Sequence, residues 1–308
     1  MKAEFEIQGH RGARGEVPEN TIPSMEAALD SCVDSIETDL HLTSDGIVIL
    51  AHDPVISPKI FSIGPTSSGV KTGSLIRSLS LSQLRQFPAN GNPDKERFPE
   101  QSTLPGPASI LFASEMGMNP FAVPTLEDVI LFLKAYAGDT GIKAGKTELQ
   151  RKKASRVILD LEIKRVPFYP ETIGDSFTEG NSEILEEKIV REVRRHDLIG
   201  RTVVRSFDHR SVREVKRMEP GLTVAVLIAD TIPEDPVSMA LAAGATIYCP
   251  SFSFVDKKLV NTLHKAGIRI IPWTANDEKT WQQLLELDVD GITTDYPAKF
   301  SKWIRNQA

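Results

Sequence analysis

Short β-rich segments alternate with amphipathic helical segments through the second half of the chain. Clear examples of the β-rich segments are VVRSF from Val203, TVAVLI from Thr223 and RIIPW from Arg269. One such segment returns about every 20 to 23 residues, with helical periodicity between neighbours. Because the connection between two parallel strands usually contains a helix, this spacing predicts βα units and a parallel sheet.

The same alternation extends to the N-terminal part and brings the number of candidate strands to eight. The candidate strands are 5–10, 35–40, 157–163, 202–206, 222–227, 245–249, 268–273 and 290–294. The candidate helices are about 21–33, 125–137, 183–197, 208–219, 234–243, 255–266 and 277–287. Eight βα units in 308 residues predict an α/β fold, a closed (β/α)8 TIM barrel in a single domain spanning 1–308.

One long segment interrupts this alternation. Residues 54–120 are rich in proline, serine and glycine, and only 81–87 show a weak helical pattern. A segment of this length does not fit into a barrel wall, but it can lie above one. We therefore predict that residues from about 54 to 123, which follow the hairpin of the second strand, form a small inserted cap over the active-site mouth.

The composition excludes several classes of protein. With 36 basic and 42 acidic residues, the net charge of −6 gives no broad basic surface for nucleic acid. The two cysteines, Cys32 and Cys249, are too few for a disulfide scaffold or a thiolate zinc site. No run approaches the roughly 20 apolar residues that span a bilayer, and residues 1–5 carry no apolar signal-peptide core. We expect a cytoplasmic protein without a transmembrane segment; an exported parent that has lost its signal peptide, and the oligomeric state, stay open.

Charged residues occur near the ends of the candidate strands, where TIM barrels place their active sites. Glu37 and Asp39 are two positions apart on one strand, so both carboxylates point to the same face. Glu162 lies near the end of the next strand, and three oxygen ligands without cysteine suit one divalent cation, Mg²⁺ or Ca²⁺. The alternative is that these carboxylates are ion-pair partners of Arg11 and Lys164.

The second strand is followed by Asp45-Gly46, a pair that is typical of a two-residue hairpin turn. With that turn, the register pairs Asp39 with His52. It therefore predicts a histidine directly opposite the carboxylates and on the same face. The alternative for His52 is a purely structural hydrogen bond.

The first candidate strand ends at His10 and Arg11 and enters a glycine-bearing loop. An arginine fork binds phosphate through two hydrogen bonds and does not lose its charge. Two histidines beside a cation can act as general acid and general base, because imidazole titrates near neutral pH. Together with Lys164, which would stabilise charge on phosphoryl oxygens, these residues predict phosphodiester cleavage.

The same residues belong to a set of short motifs that covers nearly the whole chain. The motifs are His10-Arg11-Gly12, Pro18-Glu19-Asn20-Thr21, Glu37-Thr38-Asp39, Thr43 with Asp45-Gly46, His52-Asp53-Pro54, Pro124-Thr125-Leu126, Leu161-Glu162-Ile163-Lys164, Ser206-Phe207, Trp273-Thr274 and Thr294-Asp295-Tyr296-Pro297. This set resembles the signature of the glycerophosphodiester phosphodiesterase family, and no candidate catalytic position departs from it.

The resemblance implies a phosphatidylinositol-phospholipase-C-like barrel and a role for each site residue. The implied roles are His10 and His52 as acid and base; Glu37, Asp39 and Glu162 as ligands of one divalent cation; Arg11 and Lys164 on the phosphate; Glu19 in support near His10 and the cation; Asn20 as a hydrogen-bond partner; and Trp273 against the glycerol end of the substrate.

The implied activity is metal-dependent hydrolysis of a small-molecule glycerophosphodiester to an alcohol and glycerol 3-phosphate. Attack by the neighbouring glycerol hydroxyl through a cyclic phosphate and direct attack by water both stay open, as do the metal and the preferred alcohol. One alternative is lysophospholipase-D-like hydrolysis, for which the insert offers apolar side chains at Phe61, Phe87, Phe98, Phe112 and Phe121. Another is a non-catalytic phosphodiester-binding module, which would be expected to lack part of the catalytic set; no part is missing.

Overall fold

Eight parallel strands, surrounded by helices, form the body of the protein in a computed structural model that describes residues 5–63, 70–90, 94–178, 181 and 184–307. The strands are β1 (Glu6–Gly9), β2 (Ser35–Leu42), β3 (Val48–Leu50), β4 (Ile158–Ile163), β5 (Thr202–Ser206), β6 (Thr223–Ile228), β7 (Ile247–Pro250), β8 (Arg269–Ile270) and β9 (Gly291–Thr294). The helices are α1 (Ile22–Asp30), α2 (Leu81–Leu84), α3 (Pro107–Met116), α4 (Leu126–Ala137), α5 (Asp139–Lys143), α6 (Glu148–Ala154), α7 (Leu185–Arg195), α8 (His209–Met218), α9 (Pro236–Ala242), α10 (Lys257–Lys265), α11 (Glu278–Glu286) and α12 (Pro297–Arg305).

The sheet follows the order β8-β7-β6-β5-β4-β2-β1-β9, and β3 alone is antiparallel, on β2. Backbone hydrogen bonds then join β8 and the residues after it to β9. The Asp290 amide donates to the Ile270 carbonyl over 2.9 Å, and the Thr293 amide donates to the Pro272 carbonyl over 3.0 Å. The predicted (β/α)8 barrel is confirmed, because every one of the eight candidate strands is part of this ring.

Local sequence explains where the outer helices begin. Thr125 caps α4 through a reciprocal pair of hydrogen bonds with Asp128, and Asp277 caps α11 by accepting from the Thr280 amide. One face of each long helix is buried against the sheet, as at Ile189 in α7. Residue 183, the first of the helix predicted at 183–197, lies outside the described residues. None of the described helices is both long and apolar enough to cross a bilayer.

A buried polar layer fills the barrel below the strand ends. The Arg205 guanidinium is ion-paired with Asp160 and also donates to Gln8 Oε1 over 2.9 Å. Gln8 Oε1 also accepts from Thr293 Oγ1 over 2.6 Å. Because these groups are all hydrogen-bonded, the layer is a rigid polar floor rather than a cavity.

The hairpin register differs from the prediction by one residue. Leu40 lies opposite Leu50, and the Asp39 carbonyl accepts from the Ala51 amide over 3.1 Å, so the predicted pairing of Asp39 with His52 is wrong. The loop has three residues, because the chain closes from Thr43 to Ile47 and places Gly46 in the left-handed region at φ 75°. Asp-Gly serves this bulged loop as well as the two-residue turn.

The segment after β3 divides into two parts. Its first part packs around an apolar cluster of its own that includes Ile56, Phe61 and Phe87 and continues from Ile49 of β3. Its second part contains α3, whose Phe112 is buried in the main core with the barrel helices. Helix α3 therefore belongs to the helical layer of the barrel, although the predicted insert included it. Residues 64–69 and 91–93 of that insert lie outside the described residues.

Candidate active site

A cleft of about 360 Å³ opens where the carboxyl ends of the strands meet. Barrel residues from β1, β2, β4 and β5 line its floor and one side, and residues of the first part of the insert line the other. Among the residues with predicted roles, eight line the cleft: His10, Arg11, Glu19, Glu37, His52, Glu162, Lys164 and Trp273. The strand-end position predicted for the site is therefore where these side chains meet.

Three carboxylates converge beside this cleft. Glu37 and Asp39 project from β2, and the β2–β4 register places Glu162 directly beside Asp39. One oxygen of each side chain lies within 4.8 Å of an oxygen of the other two, and all three residues are buried. The predicted cluster is thus assembled by the pairing of two strands that are far apart in the sequence.

The positively charged side chains around the cluster pair with two of its three carboxylates. Lys164 Nζ lies 2.6 Å from Glu162 and 3.4 Å from Asp39, and Arg11 Nε lies 3.1 Å from Asp39. These are the ion pairs of the alternative interpretation, but they do not extend to Glu37. In the part of the chain that the structure describes, no lysine or arginine is within ion-pair distance of Glu37.

The pKa values of Glu37 and Asp39 differ because only Asp39 has positively charged partners. Burial, together with Asp39 and Glu162, raises the pKa of Glu37 to about 8. Burial also acts on Asp39, but Arg11 and Lys164 outweigh it and hold the pKa of that carboxyl well below its usual range. Glu37 Oε1 is buried and accepts no hydrogen bond from the described residues, and the buried Asp39 Oδ1 has only the longer ion-pair contact of 3.4 Å with Lys164. Unsatisfied carboxylate oxygens in a three-carboxylate group fit one hard divalent cation such as Mg²⁺ or Ca²⁺.

His10 is held by a carboxylate from the last strand. Its Nδ1 lies 2.5 Å from Asp295 Oδ1, and Asn276 Nδ2 donates to the other Asp295 oxygen over 2.7 Å. The remaining ring nitrogen, Nε2, lies 3.8 Å from Glu37. Burial and the nearby Arg11 charge outweigh Asp295 and lower the pKa of His10 to about 4, so the ring is neutral at pH 7.

His52 reaches the cleft although the register that predicted it is wrong. The strand β3 ends at Leu50, and the chain then turns away and carries the His52 side chain to the cleft wall. Its Nδ1 lies 2.7 Å from Asp53 Oδ1. The buried His41 holds the same residue from behind, because its Nε2 lies 3.1 Å from the His52 carbonyl oxygen.

Two of the predicted polar residues, Glu19 and Asn20, hold other side chains of the site in place. Glu19 forms ion pairs with both Arg11 and Arg14. The side-chain Nδ2 of Asn20 donates to Asp39 Oδ2 over 2.9 Å. Asn20 does not line the main cleft. Asn20 is therefore placed to orient Asp39 rather than to contact a substrate.

An aromatic wall closes the side of the cleft formed by the ends of β5 and β8. The Trp273 and Phe207 rings meet edge to face, 5.7 Å apart between centroids. Trp273 Nε1 donates to the Cys249 carbonyl over 2.9 Å, which fixes the indole plane. Lys164 Nζ lies 5.9 Å from the centre of the Phe207 ring.

A model of the glycerophosphoryl diester phosphodiesterase family matches residues 10–299. The chain belongs to this family. Membership confirms the resemblance found in the motifs and the prediction of an enzyme of this phosphodiesterase class.

Individual members of the family align over nearly the full length of the chain. A glycerophosphodiester phosphodiesterase from Caldanaerobacter subterraneus is 26% identical over 300 residues, which cover 97% of each chain. The crystal structure of a Silicibacter pomeroyi protein to which this activity has been ascribed superposes with a TM-score of 0.79 at 24% identity, covering 100% of this chain and 95% of that one.

A third relative is the phosphodiesterase of Oleispira antarctica, whose structure holds the product sn-glycerol-3-phosphate. It has a TM-score of 0.69 at 21% identity and covers 97% of this chain and 96% of its own. At these identities, the two structures show that the barrel fold is shared.

Sequence reasoning assigned no role to several residues of the site. Asp295 and Asp53 anchor the two histidines, and Arg14 pairs with Glu19. Two of them carried a usable signal: Asp295 follows the last strand, and Asp53 directly follows His52. Arg14 gave no such signal, since its partner is known only once the loop is folded.

The insert's phenylalanines are not an apolar approach surface. All five are buried, at 0 to 5% exposure, within the insert or the main core: Phe61, Phe87, Phe98, Phe112 and Phe121. They were predicted to support a lysophospholipid substrate, and that prediction is wrong because all five rings are buried.

Proposed function

We propose that this chain hydrolyses glycerophosphodiesters to an alcohol and glycerol 3-phosphate by histidine acid–base catalysis with one divalent cation. The observation that carries the proposal is one cleft with two carboxylate-anchored imidazoles beside the cluster of Glu37, Asp39 and Glu162. The glycerol 3-phosphate bound by the Oleispira relative supports this choice of substrate.

The three carboxylates would hold the cation, Mg²⁺ or Ca²⁺. When bound, it supplies Lewis-acid stabilisation of the negative charge on the phosphate group. Arg11 and Lys164 flank the same carboxylates and would bind the phosphoryl oxygens, whose charge grows in the transition state. Trp273 offers a flat apolar face to the carbon atoms of the glycerol.

The two histidines would divide the proton transfers. His10 Nε2 is assigned as the base that takes the proton of the glycerol hydroxyl next to the ester, because Asp295 at Nδ1 stabilises the imidazolium that results. The alkoxide attacks phosphorus, and His52 Nε2 protonates the departing alcohol. A water molecule then opens the cyclic phosphate with the two roles reversed, and glycerol 3-phosphate leaves.

The loops around the opening of the cleft favour lysophospholipids as a second candidate substrate class. Large apolar side chains are exposed on the loops that follow β4, β5 and β6, including Phe168 at 88% exposure, Tyr169, Phe207 and Ile232. Phe207 belongs both to this surface and to the cleft. An acyl chain on the glycerol of a lysophospholipid could leave the cleft along these loops.

The proposal is tested with glycerophosphocholine, glycerophosphoethanolamine and glycerophosphoinositol, with and without chelator. We expect glycerol 3-phosphate as the product, loss of turnover with chelator, and a fall in kcat of about 10²-fold or more in His10→Ala. Chelator-insensitive turnover would remove the cation from the mechanism, and full activity of His10→Ala would remove the acid–base assignment. A non-catalytic module would bind these compounds without turnover.

Two further measurements separate the open alternatives. A substrate without the neighbouring hydroxyl should be inert, whereas unimpaired turnover would favour direct attack by water. Lysophosphatidylcholine should be cleaved only if the apolar loops bind acyl chains, and Phe168→Ser with Tyr169→Ser should then lower kcat/KM for that substrate alone. The cytoplasmic location stays a prediction, which cell fractionation tests.

A further inference from the structure

The insert brings two cations to the cleft that are not part of the candidate catalytic machinery. Lys59 and Arg97 both line the cleft, and both side chains are exposed. They lie on the wall formed by the first part of the insert, whereas the aromatic wall of Phe207 and Trp273 belongs to the ends of β5 and β8. The cleft therefore has one aromatic wall and one wall that carries two exposed cations.

The other cations of the cleft are already neutralised. Arg11 and Arg14 pair with Glu19, Lys164 pairs with Glu162, and Arg205 pairs with Asp160. By contrast, no carboxylate among the described residues lies within ion-pair distance of the side chain of Lys59 or Arg97. An unpaired cation at the rim of a cleft attracts anions to it.

Two carboxylates, Asp53 and Asp94, lie on the same wall, and neither forms an ion pair with Lys59 or Arg97. Asp94 Oδ1 accepts from the backbone amide of Arg97 over 3.2 Å, and Asp53 holds His52. Arg14 and Arg97 both lie over the Phe98 ring, with Cζ 4.9 Å and 5.2 Å from its centre. Because Arg14 is paired with Glu19, the Arg97 guanidinium supplies the unpaired positive charge at this ring.

We propose that the insert makes the enzyme prefer glycerophosphodiesters whose alcohol carries a further negative charge, with Lys59 and Arg97 as the residues that bind it. This inference rests on the proposed function. If the glycerol packs on the Trp273 wall and the phosphate lies at the cluster, the alcohol extends across the cleft toward the insert. A phosphate on that alcohol meets Lys59 and Arg97, whereas the cationic head of glycerophosphocholine is repelled.

The test compares kcat/KM for four diesters in the presence of Mg²⁺ or Ca²⁺. Glycerophosphocholine carries a cationic alcohol and glycerophosphoglycerol a neutral one. Glycerophosphoinositol 4-phosphate carries a phosphate monoester, and bis(glycerophospho)glycerol carries a second phosphodiester. Comparing these two substrates shows which kind of phosphate group is preferred. We expect the anionic substrates to be preferred over glycerophosphoglycerol by about fivefold or more, and added salt to reduce the preference.

The variant Lys59→Gln with Arg97→Gln should lower kcat/KM for the anionic substrates by about fivefold or more. Its kcat/KM for glycerophosphoglycerol should stay within about twofold of the original. Lys95→Gln is the matched control, because Lys95 is an exposed cation of the same segment that does not line the cleft. The control should keep the full preference.

Two results would overturn the inference while leaving the proposed function intact. One is hydrolysis of all four diesters without preference, and the other is an unchanged preference in the double variant. Failure of the wild type to hydrolyse any of the four diesters, with cation present, would overturn the proposed function and this inference together.

Discussion

His10 and His52 share one arrangement although they come from different parts of the chain. In each ring Nδ1 contacts a carboxylate, Asp295 for His10 and Asp53 for His52. The carboxylate fixes the tautomer and the plane of the ring, so Nε2 is the nitrogen left to exchange protons with a substrate. At the scale of single residues, these two carboxylates are as important to the proposed chemistry as the histidines.

The replacement Asp295→Asn tests this arrangement. An amide can donate to Nδ1, which would place the ring proton on Nε2 and remove the proton acceptor from the cleft. We expect kcat to fall by about 10²-fold or more with little change in KM, measured on glycerophosphoglycerol. Asp277→Asn, at a helix start far from the cleft, is the control and should keep full activity, because asparagine also caps helices. A change of less than threefold in Asp295→Asn would contradict the assignment.

At the scale of elements, helix α3 depends on a single buried carboxylate. Glu26 of α1 accepts hydrogen bonds from the Ala108 and Ser109 amides at the start of α3, over 3.0 and 2.7 Å. Glu26 also accepts from Ser109 Oγ over 2.5 Å and pairs with Lys146 Nζ, 2.6 Å away, which contacts Asp30 as well. The N-terminal end of α3 carries no side-chain cap of its own, so Glu26 satisfies backbone donors that are otherwise unpaired.

We expect Glu26→Ala to lower the free energy of unfolding by about 2 to 4 kcal/mol, measured by urea denaturation, because it leaves several buried donors at the start of α3 without an acceptor and removes one of the two carboxylates that pair with Lys146. Glu115→Ala, an exposed position on α3 itself, should change the free energy of unfolding by less than about 0.5 kcal/mol. Equal effects of the two replacements would contradict the role given to Glu26.

The elements also show what local sequence could predict. Each βα unit is visible as periodicity within about 20 residues, so the eight strands and the barrel follow from the sequence. The length of the hairpin loop does not follow from the sequence, because Asp45-Gly46 fits both a two-residue and a three-residue loop. The pairing of Leu40 with Leu50 in the structure decides between them. Helix α3 was missed because its docking partner, Glu26, lies 82 positions away.

At the scale of the whole molecule, the candidate site depends on contacts between distant strands. The strand ends and motifs predicted Glu37, Asp39 and Glu162, and the β2–β4 register brings them together. Which carboxylate stays without a counter-charge could not be predicted, because it depends on how Arg11 and Lys164 share their ion pairs. In the structure, Glu37 is the carboxylate that lacks a positively charged partner.

The missing counter-charge at Glu37 predicts how the free energy of unfolding depends on pH. With chelator and between pH 6.5 and 8, folded Glu37 keeps a proton, since its pKa is raised to about 8, while the unfolded chain has lost it. The folded state then binds more protons, so stability falls as pH rises, by roughly 2 kcal/mol over this window. The measurement is the free energy of unfolding at several pH values.

The replacement Glu37→Gln should remove this part of the pH dependence, and Glu278→Gln, on an exposed helix, should leave it unchanged. Saturating Ca²⁺ or Mg²⁺ should raise the stability of the wild type at pH 8 and not that of Glu37→Gln, by about 2.7 kcal/mol at a cation concentration 100 times Kd. Parallel pH profiles for the wild type and Glu37→Gln would contradict the charge deficit.

The first and last strands of the chain, β1 and β9, are neighbours in the ring, and the contact between His10 and Asp295 joins them. That contact cannot form until the chain has been synthesised beyond residue 295. A chain still on the ribosome, or a fragment that ends before residue 295, holds the imidazole without its carboxylate. In the proposed mechanism, closing the ring of strands therefore completes the general base, and a fragment without Asp295 should lose most of its turnover.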